Sequence, residues 1–385
     1  MKAKRRANVA KAMRTPTTRR MRPAITPLPK APAPLLGKPS AAIVPGAAPV
    51  PPAADGPGFT FDALGGRPVD LAADLGAGLV LANPVIAASG PFGFGVEVAD
   101  VVDLARLGAL VTRGVSLRPR GGHAAPRTAE VVGGLLTGTG LVAPGLDTVL
   151  DRYAATWATW DIPVILNLCG DSTADLADAA RRLDGVPGIA AVEINLSCAG
   201  SGRGQAFGLD AGSTGSAVAA VRRACELPVI AKLTPAAADV RAIARAAEDA
   251  GADAISAVNT LPALALAADR RSPALGSVYG GLCGPALRPI ALRVVFEVAQ
   301  SVDLPVIGYG GVSTLADVLD FLAAGASAVG VGVAALADPM LPVRLADELA
   351  DHCRAAGLGT HRDLVGTALP ARASIASTRG AEYAR

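Results

Sequence analysis

The chain has 385 residues, 51% of them hydrophobic and 3% aromatic, which suits one large α/β domain with a core of small aliphatic side chains. Eleven of the 36 Lys and Arg residues precede Asp55, the first acidic residue, so the remaining chain carries 25 basic against 33 acidic residues. This mildly acidic balance argues against nucleic-acid binding by the main domain.

The cysteines and the hydropathy bear on metal binding, cellular compartment and membrane insertion. The five cysteines form no CxxC pair and no spacing typical of zinc or iron–sulfur ligands, so we expect no metal. An odd cysteine count without a secretory signal favours the reducing cytoplasm. No apolar run reaches the length of about 18 residues that a membrane-spanning helix needs.

The first 60 residues form a segment of distinct composition. A basic stretch leads into a Pro/Ala-rich tract with few large apolar side chains, which predicts a disordered tail over residues 1–60. A targeting peptide or an arm for an anionic partner is the alternative, but no apolar signal-peptide core follows the charges. We expect the folded domain over residues 61–370 and a short C-terminal tail over residues 371–385.

From about residue 78, short apolar runs alternate with Ala-rich segments of helical pattern. Most runs are apolar throughout, which is typical of parallel strands covered on both faces. Eight such strands alternating with helices predict a single (β/α)8 TIM barrel. An open doubly wound sheet is the alternative, but no GxGxxG follows the first strand. The predicted strands are Pro84–Ala88, Ala109–Gly114, Pro163–Leu168, Ala190–Ser197, Pro228–Leu233, Ala254–Val258, Pro305–Tyr309 and Ser327–Val333.

The chemistry of such a barrel lies at the carboxyl ends of its strands. The first six predicted strands end in polar residues, and the last two end in glycine-rich turns that let backbone N–H groups approach an anion. A helix start at Ser313 or Thr314 adds its dipole to the seventh turn. These ends predict a ligand site with a phosphate-binding side, although glycines also serve tight turns.

Seven motifs follow one another along this frame: NPVIAASGPFGFGVE, APRTAE, EINLSC, AKLTP, VNT, YGGLCGPALRPIALR and IGYGGVSTLADVLDFLAAGASAVGVG. Together they resemble the dihydroorotate dehydrogenases from Leu81 to Leu349. The resemblance implies an FMN cofactor whose phosphate lies at the last two strand ends. The implied cofactor residues are Ala88, Ser89, Gly90, Arg113, Gly114, Asn167, Asn195, Lys232, Val258, Gly284, Gly310, Gly311, Gly332 and Val333.

The same resemblance implies oxidation of dihydroorotate to orotate, a step of pyrimidine biosynthesis. In the family a base takes the C5 proton while the C6 hydride passes to flavin N5. Class 1 members use Cys as that base, so Cys198 in NLSC indicates class 1, with Ser197 beside it as a second catalytic candidate. A thiol can accept this proton only as the thiolate. Outside such a motif, a lone Cys is more often a small buried hydrophobe.

The substrate half of the site departs from the family pattern. Class 1 members hold their substrate with asparagines, of which Asn195 and Asn259 are present. Thr137, Ala143 and Gly200 stand where asparagines are usual, and Arg113 replaces a lysine. Each lost amide removes about 0.5–1.5 kcal/mol of net hydrogen bonding. The implied substrate residues are Arg113, Thr137, Gly140, Leu141, Asn195, Asn259 and Thr260.

Three functions therefore stay open. The first is dihydroorotate oxidation by a divergent enzyme, and the second is FMN-dependent oxidation of another cyclic or carboxylated substrate. The remoter third is a flavin-free phosphate-binding barrel. The resemblance implies either fumarate as electron acceptor or a partner FAD/iron–sulfur electron-transfer subunit, and it implies a homodimer.

Overall fold

The computed structural model describes residues 68–197 and 206–370, so the predicted tails over residues 1–60 and 371–385 lie outside the described residues. In the described part, eight parallel strands form a closed ring in which the second strand pairs with both the first and the third. The predicted TIM barrel is therefore confirmed. The barrel strands are, in chain order, Val85–Ala87, Ala109–Val111, Val164–Cys169, Ala191–Asn195, Val229–Leu233, Ala254–Ala257, Val306–Tyr309 and Ala328–Val331.

Five of these strands end earlier than the sequence predicts. The second ends at Val111 rather than Gly114, the fourth at Asn195 rather than Ser197, and the eighth at Val331 rather than Val333, while the first and the sixth each end one residue early. The second and the eighth strands leave the ladder where a polar residue or a glycine follows. Val333 already has right-handed helical backbone angles and caps the helix that follows it.

Four of the described α-helices begin at a residue whose side chain caps the first turn, and Thr314 is one of the two helix starts that the sequence predicts after the seventh strand. Side-chain oxygens of Ser172, Asp210, Asp239 and Thr314 each accept a hydrogen bond from a backbone N–H in the first turn. No helix of the described residues is long and apolar enough to cross a membrane. The α-helices are Leu146–Val149, Ala155–Trp157, Thr173–Leu183, Ala211–Arg222, Val240–Asp249, Arg288–Ala299, Leu315–Ala323, Ala334–Ala337 and Leu341–Ala355. A π-helical turn, Leu150–Ala154, joins the first two, and 3-10 turns span Leu104–Arg106, Phe207–Leu209, Pro285–Leu287 and His361–Leu364.

Shorter strands lie outside the barrel ladder. An antiparallel hairpin pairs Ala73–Asp74 with Val80–Leu81, and Val115–Ser116 extends the ladder beside the third barrel strand. A separate four-stranded antiparallel sheet, here called the mouth sheet, is built from segments that follow the second and sixth barrel strands. Its strands are, in spatial order, Leu261–Ala263, Gly280–Cys283, Gly134–Thr137 and Thr128–Val131.

The apolar side chains form two layers. The outer layer lies between the ladder and the helices and includes Val192, Val218 and Val294. The inner layer fills the barrel and is continuous with Leu75 and Leu79 of the hairpin. Because successive side chains of a strand point to opposite faces, every second residue belongs to the inner layer. The hairpin therefore seals one end of the barrel and leaves the other end for polar side chains.

Candidate active site

A polar layer lies directly above the apolar inner layer, toward the carboxyl ends of the strands. On several strands the next inward position after an apolar inner residue is polar or aromatic, two residues further along the chain. All of these polar side chains are buried. The pairs are Ile165 and Asn167, Ala191 and Glu193, Ile230 and Lys232, Ala254 and Ser256, and Ile307 and Tyr309.

Glu193 is the centre of this polar layer. Its side chain has no solvent exposure, and three neighbouring strands supply donors to its carboxylate. Asn167 Nδ2 donates to Oε1 at 2.6 Å, Lys232 Nζ donates to Oε1 at 3.0 Å, and Ser256 Oγ donates to Oε2 at 2.7 Å. A buried carboxylate is tolerated only when it is paired and hydrogen-bonded, and these donors meet that requirement.

Lys232 connects this carboxylate with the seventh strand. Lys232 is 6% exposed, and its ammonium lies 4.5 Å from the centroid of the Tyr309 ring, within the range of a cation–π contact. Burial, with the Glu193 carboxylate beside it, raises the pKa of the Tyr309 phenol well above its usual value, so the phenol is neutral. A side chain at Gly330 would collide with the Tyr309 ring, which explains the glycine in the eighth strand.

Three asparagines continue from the carboxylate toward the barrel mouth in a directional chain. Asn195 Nδ2 donates to Asn167 Oδ1 at 3.3 Å, and Asn259 Nδ2 donates to Asn195 Oδ1 at 3.0 Å. Asn259 Oδ1 accepts from the Thr260 backbone N–H at 2.7 Å. The structure thus brings together Asn167, Asn195, Lys232, Asn259 and Thr260, all predicted as site residues.

The predicted phosphate side is rich in glycines with unusual backbone angles. Gly310 and Gly311 have φ values of +133° and +77° after the seventh strand, and Gly284 has +99° before the helix Arg288–Ala299. A Cβ at Gly311 would lie 2.8 Å from the Gly284 carbonyl oxygen, so the two glycines allow a close backbone approach. At Gly332 and at Gly90 a Cβ would meet nothing within 4 Å. Gly332 and Gly90 therefore have room for a ligand to approach the backbone.

The helix start after the seventh strand is occupied by the chain's own carboxylate. Asp317 Oδ2 accepts from the backbone N–H groups of both Ser313 and Thr314 at 2.9 Å, and Arg288 pairs with Asp317. The N–H groups of Ser313 and Thr314 thus already have an anionic partner within the chain, and the contribution of this helix start to phosphate binding stays a prediction. The glycines after the seventh and eighth strands remain as the candidates for the phosphate.

The other predicted cofactor residues border the same strand ends. Ala88 and Val258 are buried immediately after the first and sixth barrel strands. A Cβ at Gly114 would lie 2.8 Å from Cys169 Sγ and 3.3 Å from Asn167 Oδ1, so this glycine backs directly onto the asparagine. Arg113 is half-buried beside it, and its backbone N–H donates to Gly93.

The predicted substrate loop begins in the mouth sheet. Thr137 pairs with Thr128 and Gly281, and the loop then passes through Gly140 and Leu141, which have positive φ values of 68° and 54°. Gly140 and Leu141 line a cavity of about 390 Å³ together with Arg118, Arg120, Gly121, His123, Cys169 and Asp171. Arg120 pairs with Asp171 at 2.9 Å. The loop thus borders both the cavity and the end of the third barrel strand.

Cys198 and Gly200 lie outside the described residues, whereas Ser197 precedes them with a buried Oγ that has no hydrogen-bond partner in the described structure. The sequence reasoning did not select Glu193, Ser256 or Tyr309 as site residues. Their positions two residues beyond apolar inner residues would have revealed them, because strand alternation places them inside the barrel.

Comparisons with known proteins agree with this geometry. The family model described as dihydroorotate dehydrogenase matches residues 73–353. The catalytic subunit of dihydroorotate dehydrogenase B (NAD(+)) from Desulforudis audaxviator is 47% identical over 293 residues, which cover 76% of this chain and 95% of that protein. The subunit of the same name from Geobacter sulfurreducens is 43% identical over 298 residues, or 77% of this chain and 97% of that protein.

A solved structure supports the fold alone. The crystal structure of DHODH from Eimeria tenella in complex with ferulenol superimposes with a TM-score of 0.64 at 20% sequence identity, covering 77% of this chain and 88% of that one. The family model extends over well more than half of the chain, and relatives over 40% identical are matched along nearly their whole length. The chain therefore belongs to the dihydroorotate dehydrogenase family.

Proposed function

We propose that this protein oxidises dihydroorotate to orotate with FMN as its cofactor, in the manner of class 1 members of its family. The observation that carries the proposal is the buried Lys232 ammonium at the carboxyl end of the fifth strand, held by Glu193 among oriented asparagines. A fixed positive charge in a site closed to water stabilises negative charge that develops on a bound group. Because the chain belongs to this family, we assign the Lys232 charge and the glycines at the strand ends to one FMN site. The same membership disfavours a flavin-free barrel.

The chain's own residues divide into a cofactor side and a substrate side. Ala88, Ser89, Gly90, Arg113, Gly114, Asn167, Asn195, Lys232, Val258, Gly284, Gly310, Gly311, Gly332 and Val333 would hold FMN. When bound, FMN supplies at its N5 the acceptor for the hydride that leaves substrate C6. Asn195 and Asn259 would bind the polar substrate ring, with Thr260, Arg113 and the loop residues Thr137, Gly140 and Leu141 around it.

The proton at substrate C5 requires a base, and Cys198 is the proposed one. The position follows from the NLSC motif at the end of the fourth strand, and Cys198 itself lies outside the described residues. Its thiolate would take the C5 proton, and the neighbouring Ser197 hydroxyl, which has no partner in the described structure, is free to hydrogen-bond to the substrate or to the thiol. Buried hydroxyls without partners are uncommon and fit such a role.

The test is anaerobic addition of dihydroorotate to the FMN-loaded protein while the absorbance of oxidised flavin is followed. We expect rapid bleaching, which the variant Cys198→Ala loses and the matched control Cys225→Ala retains, because Cys225 is buried against the outer helices. Bleaching that persists in Cys198→Ala would refute Cys198 as the base. A wild-type flavin that stays yellow would refute dihydroorotate as the substrate.

A second candidate is oxidation of a different cyclic or carboxylated substrate. The observation that favours it is Ala143, which is 3% exposed and exchanges backbone hydrogen bonds with Arg120, so its methyl group offers no amide to a substrate. Thr137 likewise presents a hydroxyl where the family uses an amide. If dihydroorotate leaves the flavin oxidised while another ring acid bleaches it, this second candidate is correct.

Electrons must leave the flavin, and the matched relatives are named as catalytic subunits. We propose a partner electron-transfer subunit carrying FAD and an iron–sulfur cluster for this chain, with fumarate as the alternative acceptor. We also propose that the chain forms a homodimer and acts in the cytoplasm, the latter from its cysteine pattern. Light scattering of the purified chain, alone and with such a subunit, tests both assemblies, and a monomer that binds no subunit would refute them.

A further inference from the structure

The proposed function gives no role to the most buried charge of the site. We propose that Glu193 is a positioning residue for the reaction: it holds the Lys232 ammonium in place, fixes the orientation of the Asn167 amide, and with its negative charge lowers the reduction potential of bound FMN. This inference rests on the proposed function only in taking FMN as the cofactor.

The first step concerns charge. Glu193 is fully buried and Lys232 is 6% exposed, so solvent screens neither group effectively. The carboxylate lies 3.0 Å from the ammonium, which reduces the positive potential that Lys232 exerts at the barrel mouth. A lone ammonium at this place would favour addition of electrons to a neighbouring flavin more strongly than the pair does. Glu193 thus sets how much of the Lys232 charge the cofactor experiences.

The second step concerns the direction of the amides. Both oxygens of an ionised carboxylate only accept hydrogen bonds, so Asn167 must turn Nδ2 toward Glu193. Asn167 Oδ1 is then left to accept from Asn195 Nδ2, and Asn195 Oδ1 to accept from Asn259 Nδ2. Reversing any one amide would bring two donors or two acceptors together. Glu193 therefore fixes the direction of the Asn167 amide, and the backbone N–H groups of Ser197 and Thr260, which donate to Asn195 Oδ1 and Asn259 Oδ1, hold the rest of the chain in the same direction.

The third step separates the charge of Glu193 from its shape. Glutamine has nearly the same shape and can keep both acceptor contacts of Oε1, to Asn167 and Lys232, while its amide nitrogen donates to the Ser256 hydroxyl. Glu193→Gln therefore removes mainly the charge. Glu193→Asp keeps the charge and shortens the side chain. Ser256→Ala keeps the carboxylate and removes one of its donors, which makes it the matched control.

The test is the reduction potential of bound FMN, measured by chemical reduction in equilibrium with a reference dye. We expect Glu193→Gln to raise the ratio of affinities for reduced over oxidised FMN about tenfold, which is about 30 mV for a two-electron couple. Glu193→Asp and Ser256→Ala are expected to stay within about threefold of the wild type by the same conversion. An unchanged potential in Glu193→Gln with full FMN content would overturn the inference.

Loss of FMN by a variant is also informative. If Glu193→Gln does not retain FMN, the inference requires that Glu193→Asp retains it with the wild-type potential. If Glu193→Asp loses FMN as well, the shape of the side chain matters rather than its charge, and the inference is refuted. Because the reductant is chemical, the outcome does not depend on dihydroorotate; a wild-type protein that takes up no FMN would instead refute the proposed function.

Discussion

Removing the Lys232 ammonium is expected to destabilise the barrel because it leaves Glu193 as a buried charge without a cation. Breaking a buried ion pair from one side costs about 3–5 kcal/mol. Glu193 would keep the hydrogen bonds from Asn167 and Ser256, so we expect Lys232→Met to lower the free energy of unfolding by about 3 kcal/mol, at the lower end of that range. Urea unfolding of the FMN-free proteins measures this difference.

Two further variants make the measurement decisive. Arg182→Met removes an exposed ion pair between Arg182 and Asp147, whose side chains are 50% and 73% exposed, respectively. This variant should lower the free energy of unfolding by less than about 1 kcal/mol. The double variant Lys232→Met with Glu193→Gln removes the unpaired charge as well, so it should be more stable than Lys232→Met alone. If Lys232→Met lowers the free energy of unfolding by less than about 1 kcal/mol and the double variant is no more stable, Lys232 and Glu193 do not behave as a buried ion pair, and the reasoning is refuted.

Three other outcomes follow from particular residues. Gly332→Ala should weaken FMN binding without lowering the thermal stability of the FMN-free protein, because a Cβ there meets nothing within 4 Å. Gly359→Ala, which is equally open but far from the site in the chain, should change neither property. Equal FMN affinities of the two variants would contradict the assignment of Gly332. Burial raises the pKa of the Cys283 thiol from 9.0 to about 11. Alkylation of Cys283 at about pH 8, measured by mass spectrometry, should therefore be about a hundredfold slower than in the unfolded chain. Equal alkylation rates would be inconsistent with that burial. Burial lowers the pKa of His361 below 6.5, so the unfolded chain binds a proton that the folded one does not, and stability should fall as pH drops through that value. Urea midpoints should show a shallower fall in His361→Gln, and an identical pH dependence would exclude His361 as its source.

Much of the barrel could be predicted because parallel strands covered on both faces appear as apolar runs. The strand ends were harder to predict, since Arg113 and Gly114 follow the second apolar run closely in sequence but have left the ladder in the structure. The helix start at Thr314 was visible because side-chain caps act within a single turn. Features set by local sequence were therefore the more predictable ones.

The part of the site that sequence reasoning missed depends on contacts between distant residues. Glu193 looks like any polar interruption of a strand until Lys232 and Ser256, 39 and 63 residues further on, are known to face it. The mouth sheet joins Leu135 to Cys283, and no local pattern indicates that pairing. The occupied helix start at Ser313 was missed because its partner, Asp317, was read only as part of the helix.

The mouth sheet bears on how new specificities arise in this fold. Among the described residues its strands pair only with one another, so substitutions there leave the barrel ladder intact. Under the proposed role of Thr137, substrate contacts and the buried polar layer belong to separately paired parts of the fold. Grafting this sheet between relatives would then be a route to altered selectivity that leaves the polar layer in place.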